Sequence, residues 1–267
     1  MTESEFNIIK EKLLTEKHHD FTSLMQIMEL LRAPGGCPWD MVQTHESIRR
    51  NLLEEAYEAC EGIDLDDAKL MQEELGDVLL QVVFHADIEA DRGRFRVDDV
   101  CDGVCKKLIY RHPHLFFGGE RQDWDDVKKR EKGAKAQSAV MDSVARSLPA
   151  LIRSEKLQEK AAKAGFVCRS PEAALDALDE CTALLRQDIA EGRDSSRSLG
   201  SLLFAAVAAA RTADENADAE TSLQNTCEQY IRRFAAMEKL AAEQGARVEE
   251  LSPAQQDALW EKAGQKF

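Results

Sequence analysis

Apolar residues recur every three or four positions along most of the chain, which is the spacing of helices that bury one face. Alternation of apolar and polar residues, the pattern of a half-buried strand, is nearly absent. The stretch APGGCPWD, Ala33 to Asp40, is rich in turn-forming residues and separates a first helical region from the segments that follow. These patterns predict an all-α fold.

Three long helices are predicted after that turn. The first begins near Thr44 or Ser47 and ends at the polar stretch DLDD, which starts at residue 64. The second covers residues 68–90 and is more apolar. The third covers residues 97–111, because Pro113 cannot continue it. A charged connector follows, and helices resume at about residue 149.

The pattern of the central helices occurs twice. The stretches LLEEAYEA, ELGDVLLQVV and CKKLIYRH begin at residues 52, 74 and 105, and ALDECTAL, SLGSLLFAAV and CEQYIRRF begin at residues 177, 198 and 227 in the same order. A shared order is harder to obtain by chance than one isolated match. The sequence therefore predicts two tandem copies of one helical unit.

The composition of the chain limits the kinds of molecule that we expect this protein to bind. The 267 residues are 43% hydrophobic, enough for a packed core, and carry a formal net charge of −15 with a pI near 4.9. Such an acidic surface argues against nucleic acid and membrane surfaces as partners. No apolar run approaches the roughly 20 residues that cross a bilayer, and the acidic start does not resemble an export signal. We expect a cytoplasmic protein.

Acidic residues are concentrated at matching places on the first two of these helices. They are Glu54, Glu55 and Glu58 on one helix and Glu73, Glu74 and Asp77 on the next. Residues three or four positions apart share a helical face, so Glu55 with Glu58, and Glu74 with Asp77, each form a pair of carboxylates. If the two helices pack antiparallel, four carboxylates converge.

Convergent carboxylates repel each other, and a divalent cation removes that repulsion. Ligands that are all oxygen select a hard ion, Mg²⁺ first and Mn²⁺ second. The alternative is a solvated acidic face. Against it, Glu74, Asp77, Gln81 and His85 form a narrow polar stripe on a helix that is otherwise apolar, and buried acids are rare unless they are paired or bound to metal.

At this point the residues resemble a known family. EEAYE followed by ELGD is similar to the EExxE and ExxD motifs of MazG-type nucleoside triphosphate pyrophosphohydrolases, in the all-α NTP pyrophosphatase superfamily. GGCPWDMVQTHESI, RHPHLF and RSLPAL also resemble that family, in the expected order. The resemblance covers most of residues 20–167 and continues more faintly beyond them.

The resemblance implies hydrolysis of a nucleoside triphosphate to a monophosphate and pyrophosphate, with Mg²⁺, or Mn²⁺ in its place, as cofactor. It implies that Glu55, Glu58, Glu74 and Asp77 are the metal ligands. Glu54 is then the candidate to orient or deprotonate the attacking water. Tandem copies and homodimers are common in the family, and we expect a homodimer here.

Five further residues are candidates for substrate binding. Lys107 and Arg111, four positions apart, could reach phosphate oxygens, or could form a solvated basic helix end. Trp39 and Trp124 could stack on the base, or could anchor the core. Trp124 and Lys128 lie in a segment that resembles the substrate-covering region of the family.

The second copy departs from this pattern. Asp179 and Glu180 remain, but Ala183 stands where the last acid of EExxE is expected, and Ser198 and Ser201 stand where ExxD has Glu and Asp. Serine hydroxyls are poor ligands for Mg²⁺. We expect the second copy to serve as a scaffold, a dimerisation surface or a nucleotide sensor.

The expected architecture is two MazG-like helical-bundle units joined by a charged linker. The predicted domains are an N-terminal helical extension over residues 1–19, a catalytic domain over 20–117, a linker or substrate-covering segment over 118–148 and a degenerate copy over 149–267. The alternative to an enzyme is a non-catalytic or regulatory module that binds metal and nucleotide. A relative specific for dUTP or dCTP would share the metal site and differ in the base pocket.

Overall fold

The computed structural model describes residues 2–118, 137–168 and 170–265. Within these ranges the regular structure is α-helical, with one short 3-10 helix and no strand. The predicted all-α fold is confirmed. The chain divides into two compact units, the first containing helices α1–α7 and the second containing α8–α13.

The first unit contains a pair of long helices, α4 and α5, that contact each other along their lengths, and α2 packs on α5. Its helices are α1 (Glu3–Thr15), α2 (Phe21–Arg32), α3 (Pro38–Met41), α4 (His45–Asp64), α5 (Ala68–Asp91), α6 (Val97–Arg111) and α7 (Pro113–Phe116).

The second unit also contains a pair of long helices in contact, α10 and α11, and α9 packs on α11. Its elements are α8 (Gln137–Asp142), α9 (Ala150–Lys163), α10 (Pro171–Ala190), α11 (Ser196–Ala213), α12 (Ala219–Glu243), the 3-10 helix Val248–Glu250 and α13 (Pro253–Gly264). Helix α8 lies inside the segment predicted as a connector, where it contacts α9.

The turn between α4 and α5 forms where the polar stretch DLDD predicts it. Asp66 takes the left-handed conformation, with φ 52°, and reverses the chain. Asp67 then caps α5, because its side chain accepts hydrogen bonds from the backbone N–H groups of Lys69 and Leu70. Gly62 permits the close approach of the two helices, since a Cβ there would lie 2.8 Å from the backbone nitrogen of Met71.

The core of the first unit surrounds α5. Met28 of α2, Ile48 of α4 and Val83, Phe84 and Ile88 of α5 form one cluster of buried apolar side chains. A helix that contacts neighbours on two sides buries more than one stripe, which explains why α5 is more apolar than α4 and α6. The acidic residues of α5 are therefore held on a rigid element.

The core of the second unit lies between α12 and α13. Met237, Leu240 and Ala241 of α12 pack against Leu259 and Ala263 of α13.

None of the helices in the described ranges combines the length and apolar character needed to span a membrane. The predicted domain boundaries remain predictions.

Candidate metal centre

Three glutamates of the first unit converge where α4 and α5 face each other. Glu55 and Glu58 of α4 and Glu74 of α5 each place a carboxylate oxygen within 4.8 Å of the other two. Glu74 is buried, Glu55 is half-buried and Glu58 is exposed, so the cluster opens to solvent on one side. His45 of α4 contacts His85 of α5 elsewhere along the pair. Since residue numbers rise along one helix as they fall along the other, the pair is antiparallel.

The electrostatics of the cluster show a shortage of positive charge. Burial raises the pKa of Glu74, and the negative charges of Glu58, Asp77 and Glu55 raise it further. Burial also raises the pKa of Glu55, with Asp77, Glu58 and Glu54 adding to the effect. Among the described residues, every charged residue that shifts the pKa of Glu55 or Glu74 is therefore an acid, and none is a cation. A divalent cation among these oxygens would reverse that penalty.

Two more predicted residues lie at the edge of the cluster. Asp77 is outside the three mutually close oxygens, although its charge raises the pKa of both Glu55 and Glu74. Glu54 accepts a hydrogen bond from the Arg50 guanidinium at 2.6 Å, and its side chain is 45% exposed. Glu54 is therefore accessible beside the cluster.

The predicted substrate-binding residues are more scattered. Lys107 is exposed and Arg111 is half-buried on α6, which packs against α5. Trp39 lies on α3 and is 57% exposed, with its backbone carbonyl accepting a hydrogen bond from Gln43. Trp124 and Lys128 lie outside the described residues.

A second group of polar side chains joins α4 to α5, away from the cluster of Glu55, Glu58 and Glu74. His45 Nδ1 lies 2.7 Å from His85 Nδ1, and His45 Nε2 contacts the buried carboxylate of Glu89. Arg94 and Arg92 also bond Glu89, at 2.5 and 3.2 Å. Burial would raise the pKa of Glu89, but the hydrogen bonds from His45 and Arg94 outweigh it and the pKa falls.

Sequence reasoning found only part of this group. The predicted polar stripe on α5 includes Gln81 and His85 but neither His45 nor Glu89. Glu89 continues the stripe by one helical turn, so the four-residue spacing could have found it. The contact between His45 and Glu89 could not be predicted in this way, because the two residues are 44 positions apart and no local pattern connects them.

In the second unit, the positions that the predicted repeat aligns with the three glutamates do not form such a cluster. Glu180 and Ser201 are exposed, whereas Ser198, at the position of Glu74, is buried. The Ser198 hydroxyl donates to the Ser195 carbonyl at 3.0 Å. Hydrogen bonds from Ser198 and Arg193 lower the pKa of Asp188. Arg193, which donates to Asp188 at 2.9 Å, joins the end of α10 to the turn before α11, and Ser198 lies beside the same carboxylate.

Comparison with known proteins bears directly on the acidic cluster. The sequence pattern of the MazG nucleotide pyrophosphohydrolase domain matches residues 43–116, the span from α4 to α7. The nucleoside triphosphate pyrophosphohydrolase/pyrophosphatase MazG of Thermotoga maritima is 41% identical over 246 residues, which are 91% of this chain and 95% of that protein. The chain belongs to the MazG family. The resemblance inferred from the sequence motifs is confirmed.

Other MazG relatives agree. The nucleoside triphosphate pyrophosphohydrolase of Escherichia coli K12 is 35% identical over 251 residues, covering 90% of this chain and 95% of that protein. The uncharacterized protein YabN of Bacillus subtilis is 39% identical over 266 residues, covering 96% of this chain and 53% of that protein. Membership of the MazG family makes this protein an enzyme of the hydrolase class.

Proposed function

We propose that this protein hydrolyses nucleoside triphosphates to monophosphates and pyrophosphate, with Mg²⁺ as cofactor and the active site in the first unit. The observation that carries the proposal is the convergence of Glu55, Glu58 and Glu74 within 4.8 Å. The names of the relatives from Thermotoga maritima and Escherichia coli support the substrate class.

The donor set fits a hard divalent cation. Carboxylate oxygens are the ligands that Mg²⁺ and Mn²⁺ prefer, and Mg²⁺ completes its coordination with water and substrate phosphates. Glu55, Glu58, Glu74 and Asp77 would hold the ion. When bound, Mg²⁺ polarises phosphoryl oxygens and lowers the pKa of a coordinated water.

The protein's own groups would orient the reactants. Glu54, held by Arg50 beside the cluster, is our candidate to accept a proton from the attacking water. Lys107 and Arg111 would bind phosphate oxygens from α6. Trp39 and Trp124 would contact the base, and Lys128 would assist in covering the substrate.

The second unit would not share in catalysis. Glu180 retains one ligand position, but Ala183, Ser198 and Ser201 remove three carboxylates. Ser198 instead donates to the Ser195 carbonyl at the start of its own helix, beside Asp188, which supports a scaffold or regulatory role for this unit.

A second copy of the chain would cover an apolar face of α5. Leu75, Leu79 and Val82 are 52%, 41% and 36% exposed and lie at the i, i+4 and i+7 spacing of one helical face. A contiguous exposed apolar stripe on a helix is typical of an interaction surface. We propose a homodimer that acts in the cytoplasm and uses neither nucleic acid nor membrane as partner.

One assay tests the proposed reaction. The purified protein is incubated with each of several nucleoside triphosphates and Mg²⁺, and pyrophosphate and orthophosphate are measured separately. Release of pyrophosphate, lost on removal of the metal by a chelator, is the expected result. Orthophosphate release would identify a different bond as the one cleaved. Metal and nucleotide binding with no product would favour the non-catalytic regulatory module.

A further inference from the structure

The contact of His45 with His85 and Glu89 lies along the same pair of helices as the acidic cluster, about 16 Å from it. Eleven residues separate Glu74 from His85, and an α-helix rises about 1.5 Å per residue. Eleven residues also make almost a whole number of turns, so Glu74 and His85 share one face of α5. The two polar contacts therefore act on a common helix interface.

Apolar packing alone does little to fix which residues of α4 face which residues of α5. Of the 20 residues of α4, the buried ones are Ile48, Ala59 and Gly62, and Ile48 is the single large side chain among them. The close approach of Gly62 to Met71 fixes the end of α4 near the turn, but hydrophobic contact is non-directional and Ile48 alone does not fix the opposite end. A second, directional interaction would fix which residues of α4 face which residues of α5.

Glu89 provides such directional contacts. A carboxylate can only accept hydrogen bonds, so His45 Nε2 donates to it. Arg92 and Arg94 also donate to Glu89, and charge-assisted hydrogen bonds of this kind are stronger than neutral ones. His45 Nδ1 is then directed to His85, at 2.7 Å. The start of α4 is thus held at one position on α5.

The buried polar stripe offers little other stabilisation. Gln81 Oε1 and His85 Nε2 are buried and have no hydrogen-bond partner among the described residues. Buried polar atoms without partners cost free energy. The polar stripe therefore stabilises the helix pair through the two hydrogen bonds that cross from α4 to α5. They join His45 to His85 and His45 to Glu89.

We propose that Glu89 is a positioning residue that, through His45 and His85, sets the alignment of α4 on α5 and so brings Glu55 and Glu58 to Glu74. The inference rests on the proposed metal centre, because it assigns Glu89 an effect on that centre without contact. Disrupting the contact lets α4 shift, which separates the carboxylates and weakens metal binding.

Binding of Mn²⁺ alone to the full chain tests the inference. Free Mn²⁺ is measured by electron paramagnetic resonance for the wild type and for Glu89→Gln, which preserves side-chain size but removes the charge. We expect the Kd for Mn²⁺ to rise about tenfold, close to the lower end for indirect effects on metal sites. Circular dichroism and thermal unfolding confirm that each variant is folded.

Asp87→Asn is the matched control. Asp87 lies two residues from Glu89 and forms a largely buried ion pair with Arg32 at 2.7 Å, but Arg32 belongs to α2. This variant perturbs a contact between α2 and α5 and leaves the contacts of α4 with α5 in place. It should keep the wild-type Kd for Mn²⁺, and an equal loss of affinity in both variants would overturn the positioning role.

Two substitutions of His45 provide a rescue test. His45→Gln retains an amide donor that can bond Glu89, whereas His45→Leu retains only apolar volume. We expect Mn²⁺ affinity near wild type for Gln and a loss similar to that of Glu89→Gln for Leu. Equal affinity in both variants would contradict the proposal.

Glu74→Gln distinguishes a failure of the proposed metal centre from a failure of the positioning role of Glu89. If Glu74→Gln leaves Mn²⁺ binding unchanged, both the metal centre and the inference are wrong. If Glu74→Gln weakens binding and folded Glu89→Gln does not, the metal centre stands and the positioning role of Glu89 is wrong.

Discussion

Glu58 of α4 and Glu74 of α5 bring carboxylate oxygens within 4.8 Å of each other where the two helices face each other. Like charges at such a distance repel, and burial together with that repulsion raises the pKa of Glu74. A divalent cation bound between these oxygens would relieve that repulsion.

Replacing Glu74 should abolish hydrolysis. Glu74→Gln removes one charged ligand while keeping the size of the side chain, and we expect kcat/KM to fall by more than about a hundredfold, since indirect partners of metal sites already cost about 10- to 100-fold. Pyrophosphate release measures the effect, and circular dichroism should show unchanged helix content. Glu73→Gln, at the exposed neighbouring position, should retain activity. Equal activity of the two variants would mean that the site is misplaced.

The corresponding acid of the second unit should be dispensable for chemistry. Glu180 is exposed, and the positions around it carry Ala183, Ser198 and Ser201 in place of carboxylates. We expect Glu180→Gln to keep kcat within about twofold of wild type, because surface substitutions away from specific contacts have small effects. Glu55→Gln is the matched variant of the first unit and should be inactive. A large loss in Glu180→Gln would assign a catalytic role to the second unit.

Glu89 should contribute stability that is lost in acid. Its pKa lies below the ordinary value of 4.5, so its charged form stabilises the fold above pH 4.5 and the effect disappears as pH falls through the lower folded-state pKa. The groups that face it are His45, Arg92 and Arg94. The Tm difference between wild type and Glu89→Gln should therefore be largest near neutral pH and shrink in acid.

Asp87→Asn is the control for that pH dependence. Burial raises the pKa of Asp87 in spite of the hydrogen bond and charge of Arg32, so its ionisation cannot provide stability that is lost in acid. Its Tm difference from wild type should not shrink in acid as that of Glu89→Gln does. The same acid response in both variants would contradict the assignment to Glu89.

An acidic substitution on the apolar face of α5 should dissociate the proposed dimer. Leu79 is 41% exposed beside Leu75, and a glutamate there would place a charge in the middle of the interface. We expect sedimentation equilibrium to give the dimer mass for wild type and the monomer mass of 29.9 kDa for Leu79→Glu. Leu65→Glu, at the exposed turn after α4, should remain dimeric. A monomeric wild type would exclude the dimer.

Some features of this protein are local and could be predicted directly. The 3.6-residue period of α4 and α5, the break at DLDD and the stop before Pro113 depend on nearby residues, and the structure has each of them where the sequence predicts it. The acidic motifs could likewise be identified as pairs on helical faces. Hydrogen bonding within a helix and side-chain periodicity involve residues a few positions apart, so a linear pattern contains them.

Sequence alone thus determined the helical elements, the acidic pairs and the family resemblance. Tertiary structure decided that Glu55, Glu58 and Glu74 form the close group while Asp77 lies at its edge, and that His45 reaches Glu89 across 44 positions of the chain. The physical reason is that the alignment of two packed helices depends on contacts between residues far apart in sequence. No local pattern specifies which of those contacts will form.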